Sequence, residues 1–208
     1  MSLTKGIAIL KQVGTIQHYP PTTLVYMEQE LGKELYLLLE GEVRCYRYDA
    51  KGNMVTLPFH ASGDLLGELP SDGALIAYQE SCESETVCTM LRLDSLRLCQ
   101  LASKDLEIAN FLIERLSRRS RMLSQFSCIT TASSLSEKVA LFIYDHEEHF
   151  CSMPISRTAS MLNIPPESLS RVLKKFRQEK ILSNDRGHYQ VLEKESLRAY
   201  FDFAYYGG

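Results

Sequence analysis

The chain has 208 residues, of which 45% are apolar and 24% are charged. This composition is too apolar for intrinsic disorder, and at about 100–200 residues per domain the length predicts one or two domains. No apolar run reaches the roughly 18–20 residues of a membrane span, and Lys5 and Gly6 interrupt the place of a signal peptide's apolar stretch. We therefore expect a cytoplasmic protein with no membrane partner.

The cysteines show neither the spacing of a zinc site nor that of a disulfide scaffold, because no C-x-x-C pair and no H-x-x-x-H pair occurs. We expect reduced thiols and no metal site. We interpret Cys82 and Cys88 as small cysteines of the core; a redox-active pair, formed if the loop between them folds back, is the alternative. The six cysteines are Cys45, Cys82, Cys88, Cys99, Cys128 and Cys151.

The net charge of −3 conceals an asymmetry along the chain. Residues 1–100 carry 8 basic and 13 acidic side chains, whereas residues 101–208 carry 15 and 13. Within residues 157–186 the numbers are 7 and 3, a local excess of four positive charges. A basic segment in an acidic protein is a candidate contact for a phosphate backbone, although a solvated helix face gives the same pattern.

The first hundred residues show the pattern of an all-β unit. Short segments rich in leucine, β-branched and aromatic residues alternate with turn residues, which favours a sandwich or barrel. The predicted strands cover residues 23–27, 34–40, 42–48, 54–60 and 86–93, and the predicted turns cover residues 31–33, 40–42, 49–53 and 61–64.

Residues 96–131 contain neither proline nor glycine and are predicted to be helical. One set of positions repeats at alternating spacings of three and four, as in a dimeric coiled coil. A long helix that packs on its own barrel is the alternative. The repeating positions are Ala109, Leu112, Leu116, Arg119, Leu123, Phe126 and Thr130.

The last 75 residues favour short helices separated by turns, over residues 135–146, 154–162 and 166–180. Asn163 tolerates the left-handed conformation that a tight helix-turn-helix corner requires, and Pro166 suits the first position of a helix. Residues 181–182 and 189–192 then form a plausible two-stranded wing around the polar segment 183–187.

Three segments in this order resemble the bacterial transcription factors that include the cyclic AMP receptor protein and the fumarate–nitrate reductase regulator, the CRP/FNR family. Residues 35–43 are similar to its barrel hairpin, residues 63–69 to its G-D-x-x-G-E-L segment, and residues 159–176 to its helix-turn-helix. The resemblance implies an α+β fold: an N-terminal antiparallel β-barrel, cupin-like and of the cyclic-nucleotide-binding type, a long dimerisation helix and a C-terminal winged helix-turn-helix. The implied domains are residues 1–100, 101–131 and 132–208.

A helix that begins at Pro166 places Glu167, Ser170 and Arg171 on one face of its first turns, where a recognition helix meets base edges. Arg171 could bridge guanine O6 and N7, and Lys174 and Lys175 would then reach phosphates. The E-x-x-S-R pattern resembles the fumarate–nitrate reductase branch, which implies TTGA-like half-sites in a palindrome. A surface helix with an internal Glu167–Arg171 pair is the alternative.

The sensor half lacks the family's known ligand groups. Tyr78 and Gln79 stand where cyclic-nucleotide members carry an Arg-Ser pair for the phosphate, so we expect no cyclic AMP binding. The first 44 residues hold no cysteine, so we expect no iron–sulfur cluster. We do not expect haem either, since His18 and His60 are isolated along the chain.

What remains is an apolar and aromatic pocket between barrel and helix, whose candidate polar groups are Glu68, Tyr78, Gln79, Arg119 and Ser120. The favoured interpretations are that Glu68 is a hydrogen-bonded carboxylate of the barrel and that Arg119 extends out of a helix interface to water, with an effector role as the alternative for both.

We predict a homodimeric, DNA-binding transcription regulator whose barrel responds to an unidentified small molecule or redox signal, with RNA polymerase as a further partner. The alternative is a ligand-sensing module that acts through protein contacts without binding DNA. We do not expect an enzyme, because the barrel segment shows no cluster of histidine and carboxylate metal ligands in its sequence.

Overall fold

A computed structural model describes residues 3–57, 60, 62–70, 74–185 and 187–201. The chain divides into two compact units, Met1–Leu123 and Ser124–Gly208. No helix among the described residues has both the length and the apolar character needed to cross a membrane.

The first unit contains ten strands and most of three helices. The strands are β1 Thr15–Tyr19, β2 Leu24–Tyr26, β3 Leu31–Gly32, β4 Glu34–Glu40, β5 Val43–Tyr48, β6 Met54–Thr56, β7 Leu65–Gly67, β8 Ile76–Ala77, β9 Ser81–Ser84 and β10 Cys88–Asp94. The helices are α1 Leu3–Leu10, α2 Ser95–Ala102 and α3 Leu106–Thr131. The strands form two four-stranded antiparallel sheets, β1-β10-β4-β7 and β2-β9-β5-β6, with β3 paired to β8.

Strand β4 separates the two cores of this unit. Leu35 and Leu37 face the core shared with the helices, whereas Tyr36 and Leu38 face the interior of the barrel. Side chains alternate across a strand, so a strand buried on both faces has the nearly unbroken apolar sequence seen here. The predicted strand at 34–40 is confirmed at both ends.

The other predicted strands are also present, but the sequence missed several short ones. Strands β1, β7, β8 and β9 and helix α1 were not predicted. The predicted turn at 31–33 is wrong in part, because β3 pairs there with β8. Of the predicted strand at 54–60, only β6 is a strand; residues 58–59 lie outside the described part, and His60 forms an isolated bridge to Val43.

The predicted continuous helix at 96–131 is wrong, because Ser103, Lys104 and Asp105 separate α2 from α3. Asp105 Oδ1 accepts hydrogen bonds from the backbone N–H groups of Glu107 at 2.8 Å and Ile108 at 3.2 Å. The carboxylate thereby satisfies two N–H groups that have no partner within a helix's first turn. This local cap starts a new helix despite favourable helical composition on both sides.

The predicted repeat on α3 is wrong at Leu112 and Arg119, which both face the barrel. Leu112 is buried with Phe111 and Ile108 against the barrel, so its assignment to an intermolecular seam is wrong. Ile113 is 61% exposed, and Leu116 and Leu123 are 40% and 42% exposed. Together they form an outward apolar stripe at spacings of three and seven, while the neighbouring face of α3 packs on its own barrel.

The second unit has the predicted order of helices and wing. It contains α4 Leu135–Asp145, α5 Glu147–Ser152, α6 Ile155–Met161, α7 Pro166–Gln178, β11 Leu182–Asp185, β12 His188–Val191 and a 3-10 helix, Lys194–Tyr200. The sequence did not predict α5 or the 3-10 helix. Asn163, between α6 and α7, has a φ of 52°, which confirms the left-handed corner.

Candidate DNA-binding surface and effector pocket

Helix α7 is amphipathic. Leu169, Val172, Leu173 and Phe176 are buried on its inner side. Pro166 begins the helix, with its fixed φ and its missing N–H at a position where no intrahelical partner exists. The opposite side is exposed and polar, and it carries the five predicted DNA-binding residues: Glu167, Ser170, Arg171, Lys174 and Lys175.

The basic side chains of α7 have different surroundings. Arg171 Nη2 donates to Ser168 Oγ at 3.1 Å on its own helix. The ammonium group of Lys175 lies 4.6 Å from the centre of the Tyr200 ring, a cation–π contact at the flank of the helix. Lys174 instead lines an open groove between α7 and the wing, together with Ser170, Arg177 and residues of both wing strands.

In the first unit, Arg119 extends from α3 into the barrel. Its Nη1 donates to the Gly67 carbonyl oxygen at 2.6 Å, and its Nη2 lies 3.3 Å from Glu80 Oε1 and 3.6 Å from Glu68 Oε1. Burial alone would lower the pKa of Arg119, but the two carboxylates outweigh it and raise that pKa. Burial raises the pKa of Glu68. Gly67 has a φ of 87°, a backbone conformation that glycine adopts without the strain a side chain would bring.

Aromatic side chains fill the barrel beside this ion pair. The rings of Tyr26 and Tyr78 lie 4.3 Å apart, and Tyr36 stacks on Tyr26 at 5.6 Å. Tyr26 donates its hydroxyl hydrogen to Glu80 Oε1 at 3.3 Å, and Tyr78 donates to the Glu34 carbonyl oxygen at 3.0 Å. Burial raises the pKa of Tyr78 to about 12, so it is a neutral hydrogen-bond donor at neutral pH.

Similar proteins match both units. The family model of the cyclic nucleotide-binding domain matches residues 16–105, and that of the Crp-like helix-turn-helix domain matches residues 137–200. The transcriptional activatory protein AadR of Rhodopseudomonas palustris is 25% identical over 86% of this chain and 82% of its own length. The fumarate and nitrate reduction regulatory protein of Yersinia pestis is 23% identical over 80% of this chain and 70% of its own.

Solved structures of regulators show the same fold. FixK2 from Bradyrhizobium japonicum has a TM-score of 0.74 at 19% identity and covers 91% of this chain and 98% of its own. A CooA double variant from Carboxydothermus hydrogenoformans has a TM-score of 0.77 at 15% identity, over 93% and 89%. The chain belongs to the CRP/FNR family of transcriptional regulators. The relatives named above are transcriptional regulators and not enzymes.

Within this CRP/FNR regulator, the predicted effector residues do not form one group. Arg119 and Glu68 meet in the barrel, and Tyr78 contributes a buried ring to its wall. Gln79 is exposed and donates to the backbone of Ala77, and Ser120 is exposed on α3. The side chains of Gln79 and Ser120 therefore do not line the barrel interior that holds Arg119, although the backbone N–H of Gln79 donates to the Glu68 carboxylate.

Sequence reasoning missed the residues that surround Arg119 most closely. Glu80 is 5% exposed, and Tyr26, Cys45 and Cys82 are also buried. Cys45 on β5 lies directly opposite Cys82 on β9, so the cross-strand neighbour of Cys82 is Cys45 and not Cys88, the alternative partner considered from the sequence. Cys88 instead contacts the carbonyl oxygens of Glu42 and Thr86. The alternation of Val43 and Cys45 along one strand was the available signal.

Proposed function

We propose that this protein is a cytoplasmic homodimer that binds palindromic double-stranded DNA through α7 and transmits a signal received in the barrel. The proposed functional divisions are a sensing part at residues 1–100, a dimerisation part at 101–131 and a DNA-binding part at 132–208. The DNA proposal depends on one observation, the exposed polar side of α7. The opposite side of this helix is apolar and buried, and the wing lies next to the helix.

Base recognition is assigned to the first turns of α7. Glu167, Ser170 and Arg171 share one exposed side there. An arginine can donate two hydrogen bonds to guanine O6 and N7, and a carboxylate can accept one from cytosine N4. Arg171 is within reach of Ser168 Oγ, a contact that orients its guanidinium without neutralising it. The E-x-x-S-R pattern supports TTGA-like half-sites.

Phosphate contact is assigned to Lys174 and Lys175. Lys174 lines the groove next to the wing with Arg177, which gives two cations along one edge. Lys175 is held at its flank by the Tyr200 ring. Such contacts raise the affinity for all sequences and make it depend on salt.

Dimerisation is assigned to the outward stripe of α3, because Ile113, Leu116 and Leu123 expose apolar surface that a second copy would cover. A dimer places two recognition helices on half-sites about one helical turn apart, roughly 34 Å. The name of AadR as a transcriptional activatory protein supports RNA polymerase as a further partner. No finding favours a module that acts without DNA.

Binding titrations at several salt concentrations test the DNA proposal. Arg171→Ala should cost roughly 1–3 kcal/mol per half-site on the matched palindrome and should flatten the preference at one guanine. Lys174→Ala should weaken all duplexes alike and reduce the salt slope by about one. Lys104→Ala is the control, since Lys104 is an exposed lysine of the first unit. Equal loss on matched and altered duplexes for Arg171→Ala would show that Arg171 contacts phosphate.

A further inference from the structure

Three side chains of different chemistry converge inside the barrel. Cys45, His60 and Glu80 each offer one ligand atom, and these atoms all lie within 4.8 Å of one another. The three residues are 1%, 8% and 5% exposed. Cys45 comes from β5, Glu80 directly precedes β9, and His60 bridges to Val43 at the start of β5. Strand pairing brings the three residues together, so no motif along the sequence predicts the group.

The imidazole of His60 is an independent observation that points to a ligand. Its Nδ1 atom is buried and has no hydrogen-bond partner among the described residues. A buried polar atom without a partner costs roughly 1–3 kcal/mol, and native proteins leave few such atoms unless an ion, a water or a function accounts for them. A metal ion would accept the lone pair of an imidazole nitrogen and remove this cost.

We propose that Cys45, His60 and Glu80 form a binding site for a divalent transition-metal ion of the Zn²⁺ class. A set of one sulfur, one nitrogen and one oxygen ligand suits zinc and its neighbours, whereas Mg²⁺ and Ca²⁺ take oxygen ligands alone. Three protein ligands leave the fourth tetrahedral position for water or for the thiol of Cys82, which lies opposite Cys45.

The charge of the surroundings favours such an ion. The guanidinium of Arg119 and the carboxylates of Glu68 and Glu80 together carry a net charge of minus one. A divalent ion bound with loss of the Cys45 thiol proton would bring the whole group to zero.

The site shares Glu80 with Arg119, and this sharing supplies a route from the ion to α3. Glu80 Oε1 is 3.3 Å from Arg119 Nη2. An ion on Glu80 competes for the same carboxylate and repels the guanidinium, so it weakens the contact that holds this part of α3 to the barrel. The proposed metal site does not depend on any role in regulation. Its effect on DNA binding, by contrast, rests on the proposed function.

Cobalt titration of the full chain, reduced and freed of metal by a chelator, tests the site. We expect one Co²⁺ per protomer with a thiolate-to-cobalt charge-transfer band, and Zn²⁺ should displace it. Cys45→Ser should abolish the band, and His60→Gln should lower the Zn²⁺ affinity at least tenfold. Cys88→Ser is the matched control, because Cys88 is equally buried but contacts the carbonyl oxygens of Glu42 and Thr86.

Two results would overturn the proposed metal site. One is that the native sequence gives no thiolate-to-cobalt charge-transfer band. The other is that His60→Gln, shown by circular dichroism to be folded, keeps the band and the Zn²⁺ affinity of the native sequence. If Cys45→Ser does not fold, His60→Gln decides alone. A Cys45–Cys82 disulfide after mild oxidation, in a protein that binds no Co²⁺ when reduced, would replace the metal site with a thiol switch.

A second measurement separates the site from its regulatory role. Zn²⁺ should change the affinity for the palindrome at least threefold in the native sequence and not in His60→Gln. Metal binding at the site with no change in DNA affinity would overturn the coupling through Arg119. Metal binding in a protein that binds no duplex at any salt concentration would overturn the proposed DNA function and support the site.

Discussion

Arg119 Nη2 lies 3.3 Å from Glu80 Oε1 inside the barrel, although the two residues are 39 positions apart. The guanidinium also donates to the Gly67 carbonyl oxygen. A single side chain of α3 is thereby joined to the end of β7 at Gly67 and to the residue before β9. This contact ties the position of α3 in the first unit to the charge at Glu80.

Arg119→Met should destabilise the first unit. It leaves the Glu80 carboxylate buried without its cation, and breaking a buried pair on one side costs about 3–5 kcal/mol. The Arg119 side chain is 20% exposed, so we expect the lower end of that range. Urea unfolding followed by circular dichroism measures the change, because the chain has no tryptophan. Arg121→Met, at an exposed position of the same helix, should change the free energy of unfolding by less than about 0.5 kcal/mol.

Cyclic AMP and cyclic GMP should not bind. No arginine or lysine occurs between Glu68 and Leu91, and Arg119 in the barrel is already paired with two carboxylates. A cyclic phosphate would bring a further negative charge to this group, and burying an unpaired charge is costly. Titration calorimetry with both nucleotides checks this. A micromolar dissociation constant for either one would show that Arg119 leaves its carboxylates for the phosphate.

The outward stripe of α3 should control the oligomeric state. Leu116→Lys and Leu123→Lys in one chain place two charges on that stripe, and we expect monomers in sedimentation velocity because charged side chains resist burial at an apolar seam. The matched control is Ser117→Lys with Gln125→Lys, two exposed positions of α3 outside that stripe. An unchanged dimer in the leucine variant, or monomers in both variants, would contradict the assignment of the stripe.

The second unit should lose stability in mild acid through His146. Burial and then the neighbouring His149 lower the pKa of His146 from 6.5 to about 4. Between these two values the unfolded chain binds a proton that the folded one does not, so the free energy of unfolding falls as the pH drops from about 6.5 to about 4.

The expected loss from His146 is about 1–3 kcal/mol over that range. His146→Gln should remove this part of the pH dependence, while His188→Gln, at an exposed wing position, should leave it in place. Urea unfolding at a series of pH values measures the difference between each variant and the native sequence. If the free energy of unfolding falls with the same slope in His146→Gln as in the native sequence, folding does not lower the pKa of His146.

The sequence was sufficient to predict those elements whose features depend only on residues close to each other in the chain. The strand at 34–40 is buried on both faces and is therefore apolar throughout, and Asn163 with Pro166 marks a corner through backbone preferences alone. The exposed side of α7 also follows from the sequence, because one apolar stripe at helical spacing defines the buried side and hence its opposite.

Only the tertiary structure decided which side of α3 faces the barrel. Leu112 and Ile113 are both apolar, and the sequence pattern did not distinguish them; the barrel covers Leu112 and leaves Ile113 exposed. Short strands such as β7 and β8 depend on the partner strand for their hydrogen bonds and not on their own composition. Cys45, His60 and Glu80 meet because antiparallel pairing joins segments far apart in the chain, which no spacing rule along a single strand can express.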